Sequence, residues 1–235
     1  MLALEEVHAH YGLSHVLQGV TLTVRPGEVV GLFGRNGVGK TTILRAIAGW
    51  LKPSAGAIRF HRQDIAGLSP DVICKAGIGF VPEDRRIFPG LTVEENLRLG
   101  LLQTPSRSAR RKAAALKRAL TLFPRLKQRR TQIGTTLSGG EQQMLAIARV
   151  LVGDQKLLLI DEPTEGLAPQ IVDEIFAIMS RLKQEGHAIL LIEQNVRRGM
   201  AICDRICAVE RGRIVFEGQG RRETDRDELL RSIAV

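Results

Sequence analysis

Three short segments of the 235-residue chain carry residue types at spacings suited to chemistry on phosphate. The first is Gly34-Arg35-Asn36-Gly37-Val38-Gly39-Lys40-Thr41-Thr42, which fits the pattern G-x-x-x-x-G-K-[ST]. Glycines at 34, 37 and 39 let the backbone wrap closely, so that successive N–H groups converge on phosphate oxygens. A helix opening at Thr41 adds the partial positive charge of its N-terminus. Lys40 is then the residue to reach β- and γ-phosphates, and the Thr41 hydroxyl the ligand for Mg²⁺. The second segment is the apolar run Leu157–Ile160 followed by Asp161-Glu162. Asp161 supplies the carboxylate that Mg²⁺ needs, and Glu162, one residue on, is placed to orient or deprotonate an attacking water. The third is Leu137-Ser138-Gly139-Gly140-Glu141-Gln142-Gln143. Ser138, Gly139 and Gly140 ahead of a helix make a second small anion-binding concavity. One nucleotide does not easily occupy two cradles of one small domain. The second cradle is therefore expected to close on a nucleotide held by another subunit.

The elements that position these segments are legible from apolar patterning. Glu28–Phe33 is a compact apolar strand running directly into the glycine-rich loop, and Thr41–Leu51 reads as a helix stopped near Pro53. Val16–Val24, ending at the turn dipeptide Pro26-Gly27, Ile58–His61 and Ile78–Val81 are further strand candidates. Thr92–Leu126 is helical in pattern, and Glu141–Val152 is the helix behind the third segment. After it Leu157–Ile160 is a buried strand. Pro169–Glu185 is an amphipathic helix with Ile171, Ile175, Ile178 and Leu182 on one stripe, and Ala188–Ile192 is another apolar strand. Four- and five-residue apolar strands joined by helices indicate a parallel sheet covered on both faces. The expectation is one α/β domain with a helical insertion.

Composition narrows the class. The chain is 44% hydrophobic but only 4% aromatic, so Leu, Ile, Val and Ala must build the core. No apolar run approaches the ~18–20 residues of a membrane-spanning helix, and the N-terminus, acidic by position 5, does not read as a signal peptide. Cys74, Cys203 and Cys207 have no zinc spacing; Cys203 and Cys207, four apart, read as one apolar helix edge. Reduced thiols and a cytosolic compartment are expected. The net charge of +9 invites a nucleic-acid partner, but it is local: residues 101–130 hold ten Lys and Arg and no acid. That stretch reads as a solvated helix face, or else one steered by anionic lipid headgroups.

Together the three segments resemble those of the ATP-binding-cassette family, the ATPase subunits of ABC transporters, over essentially the whole chain. Leu137–Gln143 is similar to that family's signature. Val81-Pro-Glu-Asp-Arg-Arg-Ile-Phe88-Pro, Leu91-Thr-Val-Glu-Glu-Asn96, Asp161-Glu-Pro-Thr-Glu-Gly-Leu-Ala-Pro169 and Glu193-Gln-Asn195 look like the branched-chain amino-acid importer branch, with the urea importer ATPases as close relatives. The resemblance implies a P-loop NTPase (RecA-like) parallel core, an antiparallel β subdomain and an inserted helical subdomain at roughly 84–145. It implies ATP and Mg²⁺ as ligands and a head-to-tail pair with a second ATPase subunit, identical or paralogous. Two membrane permease subunits and a periplasmic binding protein complete that assembly, with no nucleic acid. The chain would then sit in the cytoplasm, peripheral on the inner membrane. Tyr11 stands where the family stacks an aromatic on adenine; ordinary strand packing is the other reading.

Three positions depart from the family pattern. The switch histidine is Gln194, which bonds a γ-phosphate without becoming cationic. Glu83 stands in place of the glutamine that reaches Mg²⁺, and Ala168 in place of an aspartate. Two rival classes are a non-transport ABC ATPase acting on nucleic acid or ribosomes, and a metabolic P-loop kinase. The chain leaves no room for the second cassette or coiled-coil insertions of the first, and shows no acceptor lid for the other.

Overall fold

The computed structural model describes residues 1–103 and 108–234. Five short strands build the centre: β3 (Val29–Phe33), β6 (Ile78–Val81), β7 (Leu157–Asp161), β8 (Ala188–Ile192) and β9 (Arg205–Glu210). Every residue of β3, β7 and β8 is buried, as strands covered on both faces require. They pair in parallel in the order β9-β3-β8-β7-β6, and β10 (Arg213–Gln219) closes one edge antiparallel to β9. Register sets where the connecting loops emerge. Leu32 is level with Ile192 and Ile192 with Asp161, so the loops that leave β3, β7 and β8 come out at one edge of the sheet. In open α/β sheets that carboxyl edge is where ligands bind.

Side chains alternate across this sheet into two cores. Val30, Leu32, Leu159 and Leu190 pack with Ile43, Leu44 and Ile47 of α1 (Lys40–Ile47) beneath a second, antiparallel sheet. That sheet has the order β2-β1-β4-β5, from β1 (Leu2–Tyr11), β2 (Ser14–Val24), β4 (Ala55–Phe60) and β5 (Gln63–Asp64). A short helix, α2 (Pro70–Ala76), leads from it into β6 and adds Ile73 to the same core. On the other face Val29, Phe33, Leu158 and Leu191 meet α6 (Gly139–Leu151) and α7 (Pro169–Gln184). The two sheets are joined next to the glycine-rich loop. Gly212 donates its N–H to the Val38 carbonyl and accepts from Gln18 N–H at 2.9 Å; a Cβ on Gly212 would fall 1.8 Å from the Val16 carbonyl oxygen. A buried ion pair, Arg205–Glu28 at 3.2 Å, ties β9 to the turn before β3.

Between β6 and β7 lie α3 (Val93–Gly100), α4 (Ala109–Leu122), α5 (Pro124–Gln128) and α6. Thr92 with Glu95, and Ser138 with Glu141, form capping boxes that start α3 and α6. Much of the basic charge of residues 101–130 is answered by acids outside that stretch. Arg118 pairs with Glu185, Arg125 with Glu174, Arg129 with Glu141 and Arg130 with Glu94. Arg107 lies outside the described residues.

Several sequence expectations need correction. Cys203 and Cys207 do not share a helix edge: α8 (Val196–Ile202) ends before them, Cys203 is extended, and Cys207 lies inside β9. Both are buried, and their four-residue spacing spans a helix end and a strand. The helix expected to run to Leu51 stops at Ile47, because Gly49 turns left-handed (φ 77°) and Trp50 and Leu51 donate back to the Arg45 carbonyl. The helix of the third segment starts at Gly139 rather than Glu141, since Ser138 caps it. Strands β1, β5, β9 and β10 come in addition to those expected. In β1 bulges break the alternation, and Glu6 is left-handed at φ 47°.

Candidate active site

The glycine-rich loop connects β3 to α1, and its shape depends on two glycines in particular. Gly34 crosses so close to β9 that a Cβ would lie 2.3 Å from the Val209 carbonyl oxygen. Gly39 caps α1 in the left-handed region (φ 110°), where L side chains are strained. Beside Gly37 there is open space, as a backbone that must approach a ligand requires. Lys40 is 5% exposed, and its Nζ donates to the carbonyls of Gly34 at 2.8 Å and Arg35 at 2.9 Å. Burial holds its pKa below the usual lysine value, against the opposing pull of Glu162 and Asp161. Thr41 Oγ1 donates to Asp161 Oδ1 at 3.3 Å. A hydroxyl and a carboxylate facing each other at a phosphate loop are the hard oxygen donors that Mg²⁺ prefers. The donor set therefore fits a magnesium-bound triphosphate.

A cleft of about 280 Å³ opens between this loop and the ends of β7 and β8. Asn36, Gly37, Lys40, Thr41 and Thr42 line one side; Glu83, Glu162, Glu165 and Gln194 line the other. Glu162 is a non-glycine residue at φ 44°, fixed by its N–H on the Ile192 carbonyl (2.9 Å). Strain of this kind, of order 1–2 kcal/mol, persists where surrounding structure over-determines it. Its Oε2 accepts from the Gln194 amide at 2.5 Å. Partial burial, reinforced by Glu165 and opposed by Gln194, pushes the Glu162 carboxyl up to about 7. Glu83, Glu162 and Glu165 bring one carboxylate oxygen each within 4.8 Å of one another. Burial and then the neighbouring Glu165 push Glu83 upward as well.

Other expected residues lie outside the cleft. Tyr11 is exposed at the end of β1, its hydroxyl accepting from Arg45 at 3.5 Å, and the cleft lining does not include it. Nor does the lining include Ser138, Gly139 or Gly140, which open α6. Ala168 is the residue before α7 and offers no side-chain cap. His187 lies at the far end of β8 from Gln194, buried against the Gln155 carbonyl.

Residues missed by sequence reasoning hold this geometry. Glu193, 3% exposed, accepts from the Thr164 hydroxyl (2.8 Å) and the Asn195 N–H (2.9 Å), pinning the loop after β8 to the loop after β7. An apolar strand ending in an acid is the available signal, the same one that marks Asp161. Glu165 has only its place in a Pro-Thr-Glu-Gly turn.

A parallel sheet with a glycine-rich loop leaving β3 at its carboxyl edge, a lysine in that loop and an acid at the end of β7 defines a P-loop nucleotide-binding protein. More narrowly, the chain belongs to the ABC transporter family: the family model so described matches residues 17–165. It is 43% identical, over 94% of its length and 93% of the relative's, to the high-affinity branched-chain amino acid transport ATP-binding protein BraG of Pseudomonas aeruginosa. An ATP-binding subunit of an ABC transporter superposes with a TM-score of 0.87 at 28% identity, covering 100% of both chains. A dimeric ATP-binding cassette in a post-hydrolysis state, bound to ADP and Pi, superposes at 0.84 with 25% identity, covering 94% of this chain and 100% of that one. The chain is accordingly a transporter ATPase of the ABC type. Among the described residues no helix is long and apolar enough to cross a membrane.

Proposed function

We propose that this chain is the ATP-hydrolysing subunit of an importer for branched-chain amino acids. It would work as one of two ATPase subunits beneath two membrane permease subunits fed by a periplasmic binding protein. The observation that carries the reading is the division of the chemistry of one reaction between two places on one chain. Lys40, Thr41, Glu162 and Gln194 line one cleft, with Asp161 bonded to Thr41 at its floor, while Ser138–Gly140 open a helix outside it. Two copies, or this chain and a paralogue, complete each other when they close head to tail. The solute class rests on the likeness to BraG.

In this reading the loop N–H groups and Lys40 bind the phosphates, and Tyr11 stacks on the base. Thr41 and Asp161, with Glu83, hold Mg²⁺. An ion held by these residues would supply charge neutralisation and polarisation at the phosphates. Glu162 takes the proton of the attacking water at Oε1 or Oε2, held in place by its fixed backbone and by Gln194. Closure and reopening drive the membrane partner. A second cleft, of about 500 Å³, is lined by Trp50, Ile73, Phe80, Phe88 and Leu102 together with Arg86 and Arg149; in this reading it would seat a cytoplasmic segment of that partner. In this reading the chain works on the cytoplasmic face of the inner membrane.

ATPase activity strongly stimulated by co-purified membrane subunits, with uptake of labelled leucine by vesicles carrying them, tests the reading; uptake of urea instead would replace the solute. The pH dependence is set by Glu162, which acts as a carboxylate: with its pKa near 7 the anionic fraction grows from pH 6 to 8. Gln194 adds no titration of its own. The pH–rate profile should rise across that range; a steep fall on raising pH through ~6–7, as an essential imidazolium would give, would contradict it. The carboxylate of Glu83 lends Mg²⁺ a charge that an amide lacks. Glu83→Gln should therefore raise the Mg²⁺ concentration for half-maximal activity several-fold, and superimposable magnesium titrations would remove Glu83 from the metal site.

A further inference from the structure

Between β6 and α3 the chain passes through Arg85 (φ 57°) and Arg86 (φ 46°), two successive non-glycine residues in the left-handed region. Arg149, on α6, holds them there. Its guanidinium donates to the carbonyls of Arg86 at 2.7 Å and Arg85 at 3.1 Å, and lies over the Phe88 ring. Arg86 turns away, paired with Asp84 at 3.1 Å and lying over Trp50. Arg85 turns the other way. A Cβ built on Gly139 would lie 3.2 Å from one of its terminal nitrogens and 3.6 Å from Cζ. So α6 grips this loop twice, at Arg149 and again at Gly139, ten residues or about 15 Å nearer its N-terminus.

The half-buried Arg85 guanidinium has no carboxylate within ion-pair distance among the described residues. The guanidinium lies beside the N-terminus of α6, where an anion would be held. Ser138 Oγ already donates to Glu141 Oε2 at 2.8 Å, so its proton is committed to the capping box. The same box buries the Glu141 carboxylate beside the cradle, and Arg129, at 2.7 Å from Glu141, is engaged in neutralising it. Backbone N–H groups and the helix dipole alone are then left to attract an anion, and a planar guanidinium beside them supplies the fork that phosphate oxygens fit.

We infer that Arg85 is a further phosphate-contacting residue. When two copies of the chain close, its guanidinium meets the γ-phosphate of the nucleotide held in the other copy's glycine-rich loop. The inference rests on the head-to-tail pairing proposed for this chain. It also gives Gly139 a specific task, since a Cβ there would crowd the Arg85 guanidinium at 3.2 Å and a larger side chain more so.

The test uses the full chain carrying Glu162→Gln, with association followed by sedimentation velocity as Mg·ATP is raised, and ADP affinity measured on dilute, unassociated chains. Adding Arg85→Gln should raise the ATP concentration for half association at least about 10-fold, with Arg85→Lys intermediate. ADP affinity should stay within about 2-fold in all three, which also reports that each is folded. Association of the Arg85→Gln chain at unchanged ATP concentrations would overturn the inference. So would a loss of ADP affinity, which would place Arg85 in its own chain's site. If the chain with Arg85 intact stays monomeric at saturating Mg·ATP, the pairing of identical copies fails first and the inference falls with it.

Discussion

Glu162→Gln is expected to lower ATP turnover by a factor of about 10² to 10⁴, the usual worth of a general base, while leaving ATP bound. The exchange is nearly isosteric. It keeps the chain contour and the N–H bond to Ile192 that fixes the residue, and removes only the ability to take a proton. Glu165, though close, stands on the turn after β7 rather than at its end, and so does not replace it. Binding should if anything tighten, because one of three carboxylates facing the triphosphate becomes neutral. Phosphate release under saturating ATP, set beside the affinity for a fluorescent ATP analogue, separates the two effects. Full turnover by the variant would strip Glu162 of its role.

Lys40→Ala is expected to do the opposite, abolishing binding before chemistry is reached. Of the described residues lining the cleft, Lys40 is the one cation and Glu83, Glu162 and Glu165 are acids. Without Lys40 a polyanionic ligand meets only negative side chains and backbone dipoles. A unit charge contact at ~4 Å is worth about 4 kcal/mol at the effective dielectric of a protein surface. Solvent takes back part of it, so a loss of at least about 100-fold in ATP affinity is expected, measured by calorimetry. The fold should survive, since the carbonyls released by the lysine belong to Gly34 and Arg35, neither of which is buried, and water can replace the lost donor. Unchanged affinity would mean that the phosphates bind elsewhere.

What the sequence makes legible is local. The glycine-rich loop, its lysine and threonine, and the acids closing β7 are contiguous in the chain, and each needs only its flanking strand or helix to be placed. The parallel core is legible for the same reason, because buried strands announce themselves as apolar runs. The remainder depends on chain segments far apart in number. Glu193 reaches Thr164 across 29 residues, Arg149 holds a loop more than 60 residues earlier, and Arg205 pairs with Glu28 across 177. No pattern in a single stretch encodes such pairs. The cysteine spacing misleads because a period of four is not unique to helices. Strand β9 has an apolar run at 206–209, but the cysteine spacing gives that stretch to a helix, and its first residue is an arginine buried by virtue of its distant partners.

The left-handed backbone at Glu162 has a consequence for how this chain responds to selection. At φ 44° a glycine would sit more comfortably than any L residue, so the position assigned to proton transfer is one where the polypeptide would fold better with no side chain at all. Selection for thermal robustness alone will favour losing Glu162. Selection for turnover will restore it and accept a lower melting temperature. The two pressures part at this residue, and a stabilised version of the protein has to find its gains elsewhere.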